Sequence, residues 1–424
     1  MKLSLPSRVY SLNPVFWGLL IGNVAVNAAT RRWARNTHIR EWVFAGTQLA
    51  SLLLIADIGW KPVLFFVLPL LVAVYLLGKV LATAGGARKN RLLFWVAALI
   101  PIAALAITKY SVLREATGRI VSAAGWQLTI VPVAGLSYLV FKSIHYLVDV
   151  SSGRISGPTF RSFLGFMLFL STYPAGPMDR YDRFRKDFEN PVPLTGQDTF
   201  EATWRIVVGL FKKYVLAALL ARFAFSALTT PELASASPTT IWMSVYAYAL
   251  LIYLDFSGYS DLAIGSGRFL GIIVPENFRS PYLKRNIIEF WNAWHITLSN
   301  WLRDYLFMPI GKALMKRKRG GGSNLPVATA SYLATFAVAG IWHGDGLNFL
   351  LWGVYNGAGL SVCKAYGQWA RSLPPDYHKF MQETIFGKGL AVALTFHFVV
   401  AGMVLFGNDL PRAMIVYRRL AGIG

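Results

Sequence analysis

VLFFVLPLLVAVYLLGKVLA, residues 63–82, carries one charged side chain, Lys79, in twenty positions. A helix needs ~17–25 apolar residues to cross the hydrocarbon core of a bilayer, whereas a soluble helix shows an apolar stripe instead of an apolar circumference. Residues 43–58, 92–107 and 390–406 repeat the pattern. With 55% hydrophobic and 15% charged residues over 424 positions, the chain lies outside the composition of ordinary soluble domains. The expected fold class is an all-α polytopic membrane protein, one domain over residues 1–424. Roughly ten or eleven membrane-embedded helices plus re-entrant segments are expected.

Forty-two Lys and Arg against twenty Asp and Glu leave a net charge of +22. In a soluble domain that balance points to nucleic acid. Here the basic residues gather in short loops between apolar runs: Arg31, Arg32, Arg35 and Arg40, then Arg88, Lys89 and Arg91, then residues 316–319. That is the pattern of cytoplasmic loops facing anionic lipid, so a lipid environment and no nucleic-acid partner are expected. Residues 31–40 and 85–91 then lie in the cytoplasm, joined by an outer turn near Gly59, with the N-terminus outside. Lys2, Arg8 and the small residues near Ala28 superficially resemble a signal peptide, but the arginines directly after Thr30 favour an uncleaved first span. The single cysteine, Cys363, excludes an internal disulfide and a cysteine-based metal cluster.

Two regions interrupt the apolar pattern. The run 163–173 is too short to cross and ends in PAGP, residues 174–177, with Arg161 before it and the basic stretch 180–186 after it. Basic residues on both sides fit a re-entrant hairpin. Residues 257–322 are the least membrane-like, dense in Gly, Pro, Asn and Arg. Beyond them come apolar runs at 326–343, 348–366 and 388–406. Alternating these from the basic residues 316–319 puts Arg412, Arg418 and Arg419 outside, so one of the three is expected not to cross.

The soluble-enzyme signatures are missing. GSGRFLG, residues 265–271, lies one residue from a dinucleotide fingerprint but lacks the surrounding βαβ pattern. No glycine-lysine phosphate loop and no HExxH motif occurs, so neither a bound cofactor nor a metal is expected. Polar residues in apolar surroundings remain. In FWNAWHITLSNWLRD, residues 290–304, a helical reading puts Trp291, Trp294, Leu298 and Trp301 on one face and Asn292, His295, Ser299 and Arg303 on another. Two readings stay open: an interfacial helix, or a polar stripe buried in protein where each group needs a partner or a function. Such a stripe would serve a transport pathway equally well.

Histidines sharpen the choice. His38 and His378 sit in polar loops, and His397, in an apolar run, is expected to bond a carbonyl. His145 and Asp149, four apart in the run 128–150 that also holds Lys142, share a helix face. His343 ends an apolar run in AGIWHGDGLNF, residues 339–349, where Gly340, Gly344 and Gly346 permit a helix break and close approach of another chain. A neutral imidazole there can take a proton from a hydroxyl, the step that O-acyl transfer requires. The alternative is a helix-end histidine at the interface beside Trp342.

The ordered blocks DFSGYSD, PENF, EFWNAWHITLS, RDYL and WHG, between residues 253 and 344, resemble the membrane-bound O-acyltransferase family, MBOAT. The resemblance is densest over 253–357 and implies helices around a central funnel or tunnel. It implies a proton-accepting role for His343 and an assisting one for His295, with Asn292, Ser299, Trp291, Trp342 and Asp345 along the substrate path. Two bacterial branches fit. GPMDRYDRF, residues 176–184, and EFWNAWH are similar to the branch that transfers D-alanyl from a phosphopantetheine thioester. The donor there is a small acidic acyl carrier protein at the cytoplasmic face, and the acceptor is an extracytoplasmic polymer. LDFSGYSDLAIG and FMPIG are similar to the branch that O-acetylates alginate with a periplasmic accessory acyltransferase. Either implies a multi-pass protein of the bacterial cytoplasmic (inner) membrane. The basic stretch 180–186 or 316–319 would receive the carrier.

Overall fold

The computed structural model describes residues 14–34, 36–55, 60–83, 90–123, 125, 132–318, 323–374, 380 and 383–423. Lys2, Arg8, Arg35, Gly59, Arg88, Lys89, His378 and residues 319–322 lie outside the described residues. Apart from one isolated bridge, the regular structure among the described residues is helical, as expected. Among the described residues, five helices are long and apolar enough to cross a membrane: Trp60–Thr83, Arg91–Lys109, Pro238–Phe269, Leu325–His343 and Ile385–Gly407. Their starts follow local chemistry. Asn90 accepts from the Leu93 amide and Thr384 from the Gly387 amide, each satisfying one of the donors that a helix N-terminus leaves open.

The chain divides into two compact units, residues 1–210 with 259–275, and 211–258 with 276–424. In the first, an aromatic core of Phe44, Phe163, Phe166, Phe169, Tyr181 and Phe184 forms around the run 163–173. That run is an eight-residue helix, Phe160–Met167, followed by a tight turn at Leu170–Thr172, and its side chains are buried. Polar groups hold it in place. Lys142 Nζ donates to the Phe166 carbonyl at 2.9 Å, and the Leu170 amide donates to Gln48 Oε1 at 2.9 Å. GSGRFLG closes the long helix Pro238–Phe269. Gly271 has φ +75° and lies against the Arg31 guanidinium, which bonds the Leu270 carbonyl; a Cβ at Gly271 would collide with it.

The second unit carries the WHG and EFWNAWH blocks. Helices Leu325–His343 and Leu347–Trp369 form a hairpin whose backbones nearly touch, because a Cβ on Gly340 would lie 2.3 Å from the Phe349 carbonyl oxygen. Ile385–Gly407 packs on this hairpin through stacked Tyr355 and Phe398 rings 4.3 Å apart and an Asn348 Nδ2 bond to the Leu405 carbonyl. Lys213 and Asp255 make an ion pair of 2.6 Å, both side chains buried. Removing either partner would leave an uncompensated buried charge. In the basic tail, Arg412 bonds the Leu228 carbonyl at 2.8 Å and Asn408 Oδ1 at 3.4 Å.

Candidate active site

The stretch 290–304 is not one helix. Ile287–Trp291 stops, the chain turns through Asn292–His295, and a new helix runs from Ile296 to Leu302. The reason lies in the neighbouring segment 277–279. Phe278 and Trp294 form an antiparallel bridge, the Arg279 amide bonds the Ala293 carbonyl at 3.0 Å, and the Ile296 amide bonds the Asn277 carbonyl at 3.0 Å. These bonds divert backbone groups from a continuous helical ladder. His295 adopts φ 42° and ψ 52°, a left-handed conformation that costs a non-glycine residue about 1–3 kcal/mol and persists only where surroundings impose it.

The break dissolves the expected polar stripe. Asn292 is exposed, and the Ser299 hydroxyl donates to the Trp294 carbonyl at 3.0 Å, so it serves the turn. Arg303 pairs with Asp304. His295 alone is turned inward, 5% exposed, its ring edge-on to Phe256 with centroids 4.7 Å apart. Its Nδ1 lies 3.1 Å from Asn277 Oδ1, which also accepts from the Thr297 amide at 3.3 Å and the Thr297 hydroxyl at 2.9 Å. Its Nε2 is buried with no hydrogen-bond partner. Burial pushes this imidazole down to about 3, so it is neutral at physiological pH.

His343 is the last residue of its helix, with Gly344 extended after it, as the glycine spacing predicts. It is half-buried in a box of rings: Trp342 at 4.5 Å, Phe406 at 4.9 Å and Trp352 at 5.0 Å between centroids. Trp291 meets Trp352 at 5.9 Å, which brings it to the His343 side of the site. Asp345, two residues beyond, is exposed. An unbroken series of ring contacts leads from His295 through Phe256, Phe278, Trp294, Phe290, Trp291 and Trp352 to His343. Two imidazoles therefore belong to one aromatic framework. Rings of this kind present apolar surface with few hydrogen-bonding groups.

The remaining described histidines are engaged. His397 bonds the Ala393 carbonyl through Nδ1 at 2.7 Å, as expected, and faces the Tyr246 hydroxyl through Nε2 at 2.8 Å. His145 pairs with Asp149 at 3.1 Å and accepts the Tyr181 amide at 2.8 Å. Asn277, Phe256, Trp352 and Phe406 were not singled out by the sequence. Asn277 and Phe256 lie inside the PENF and DFSGYSD blocks, but spacing gives no hint that they converge on His295. Among the described residues no group of three His, Cys, Asp or Glu side chains is placed to hold a metal.

Residues 64–399 match MBOAT, the membrane-bound O-acyltransferase family. The chain belongs to this family. A probable alginate O-acetylase of Pseudomonas syringae pv. tomato is 36% identical over 281 residues, covering 65% of this chain and 49% of the relative. A teichoic acid D-alanyltransferase of Streptococcus thermophilus is 31% identical over 292 residues, covering 65% and 69%. A peptidoglycan O-acetyltransferase of Helicobacter pylori is 32% identical over 325 residues, covering 69% and 57%. The match spans about half the length of the alginate O-acetylase and two thirds of the D-alanyltransferase. Both imidazoles and all the rings that join them fall inside the MBOAT match, and Phe406, which boxes His343, follows it.

Proposed function

We propose that this chain is a membrane O-acyltransferase that passes an acyl group through the bilayer to a hydroxyl of an extracytoplasmic cell-envelope polymer. The observation that carries this reading is the pair of imidazoles in one aromatic framework, His343 boxed by rings and His295 buried with Nε2 unpartnered. His343 takes the proton of the attacking hydroxyl as its oxygen bonds the thioester carbonyl carbon. The C–S bond then breaks and the imidazole returns the proton to the departing thiolate. His295 holds another part of the substrates. Surrounding rings keep out bulk water, which at about 55 M would otherwise take the acyl group. Of the residues expected along the substrate path, Trp291 and Trp342 are kept there by their ring contacts on the His343 side, whereas Asn292 and Asp345 are exposed and Ser299 is bonded to the Trp294 carbonyl.

The donor proposed first is D-alanyl on the phosphopantetheine of a small acidic carrier protein at the cytoplasmic face, acting as cosubstrate. Of the two basic stretches, the helix Met308–Arg317 supports docking better. Lys312, Lys316 and Arg317 are exposed on it, whereas Arg183 and Arg185 are occupied by Asp179, Asp187 and Glu189. Exposed charges of one sign steer an acidic partner, while paired ones contribute little. The second reading, O-acetylation of an exopolysaccharide with a periplasmic accessory acyltransferase, draws support from the 36% identity to the alginate relative against 31% to the D-alanyltransferase. Both place the chain in the bacterial cytoplasmic (inner) membrane. Mass spectrometry of envelope glycans with and without this protein separates them. A lost D-alanyl mass supports the first, a lost acetyl mass the second, and unchanged glycans contradict O-acyl transfer.

A further inference from the structure

The Thr297 amide can only donate, and it points at Asn277 Oδ1 from 3.3 Å; the Thr297 hydroxyl adds a second bond at 2.9 Å. That atom of the carboxamide is therefore the oxygen, an acceptor. His295 Nδ1, 3.1 Å from the same oxygen, must then carry the ring proton. A neutral imidazole has one N–H, so Nε2 holds the lone pair. Nε2 is buried and meets no donor from the chain. A lone pair so placed accepts a hydrogen bond and repels a second acceptor. It suits an O–H or N–H of a substrate and does not suit an acyl carbonyl oxygen or the oxyanion that forms from it.

We propose that Asn277 is a positioning residue that sets His295 as an Nε2 acceptor, and that this nitrogen takes a hydrogen-bond donor of the substrates and not the acyl carbonyl. The inference rests on the O-acyltransferase reading. No proton leaves in this contact. The reacting hydroxyl gives its proton to His343, and His295 holds a second O–H or N–H. Asn277 controls the backbone as well as the ring, since its own carbonyl accepts the Ile296 amide at 3.0 Å and fixes the left-handed turn that aims His295 inward. The charged groups on the packed segments leave this arrangement in place. Asp255 is paired with Lys213 at 2.6 Å, Glu276 and Arg279 beside Asn277 are exposed, Glu289 is bound by Asn286, and Arg303 pairs with Asp304 on the ring's own helix.

The test is nitrogen NMR of 15N-histidine-labelled protein in lipid nanodiscs, with His295→Gln identifying the signals. The expected wild-type spectrum has a protonated Nδ1 and an unprotonated Nε2 at His295. Asn277→Asp keeps an acceptor at the same place but adds charge, so the tautomer stays and the His295 titration midpoint rises by about one pH unit or more. Asn277→Leu removes the acceptor, mixes the tautomers and lowers kcat/KM about 10–100-fold. A protonated Nε2 in the wild type, or a titration in Asn277→Asp that overlays the wild type, overturns the proposal. If Asn277→Leu does not fold, those two measurements decide alone. The spectrum needs no turnover, so the predicted tautomer in a protein that transfers no acyl group would overturn the enzymatic reading and leave the Asn277 assignment standing.

Discussion

His145 and His295 are buried to nearly the same degree, 1% and 5% exposed, and they are satisfied differently. His145 spends both nitrogens on the chain: Nε2 accepts the Tyr181 amide, which requires Nδ1 to carry the proton it shares with Asp149. Arg154 holds the other carboxylate oxygen at 3.0 Å. That network is closed, and its histidine is a structural tie between the helices Leu136–Ser151 and Tyr181–Glu189. His295 spends one nitrogen and leaves the other buried and open. Buried polar atoms are nearly always paired, and on the proposed reading the open nitrogen of His295 is the one that a substrate donor meets. Burial alone does not separate the two histidines; the count of nitrogens satisfied by the chain does.

Substitution at the two positions should separate activity from stability. His295→Ala removes the open acceptor and should cut acyl transfer about 100-fold or more, measured per folded molecule. His145→Ala should leave transfer per folded molecule unchanged. It should cost about 2–4 kcal/mol in stability, because the Asp149 carboxylate and the Tyr181 amide lose a buried partner. Equal activity losses at the two sites would break the distinction. The acid response gives a smaller effect. His295 is held near 3, below its ordinary 6.5, by burial. Between those values the unfolded chain binds a proton that the folded chain refuses. Wild-type stability should therefore fall as pH falls through that window, by about 1.4 kcal/mol per unit, and His295→Ala should flatten that slope.

The helical class was legible because length and lack of charge decide it, as in residues 63–82, which became the helix Trp60–Thr83. That the run 163–173 is too short to cross was legible for the same reason, and it forms the eight-residue helix Phe160–Met167 with a turn after it. The break at Asn292–His295 was not. Trp291, Trp294, Leu298 and Trp301 satisfy a helical period across it, and what overrides the period is pairing with residues 277–279, a contact that local spacing does not encode. Glycines around His343 did announce a break, because Gly340 and Gly344 have to admit Phe349 at distances no side chain allows. Of the rings that box His343, Trp352 and Phe406 come from Leu347–Trp369 and Ile385–Gly407, and only the folded chain brings them to it.

The central claim is that His343 carries the proton in an O-acyl transfer. Purified protein in nanodiscs, given a thioester donor and a hydroxyl acceptor, should form the ester in a single turnover. His343→Ala, shown by its melting curve to be folded, should be slower by about 100-fold or more. A folded His343→Ala protein that forms ester at the wild-type rate would contradict the account.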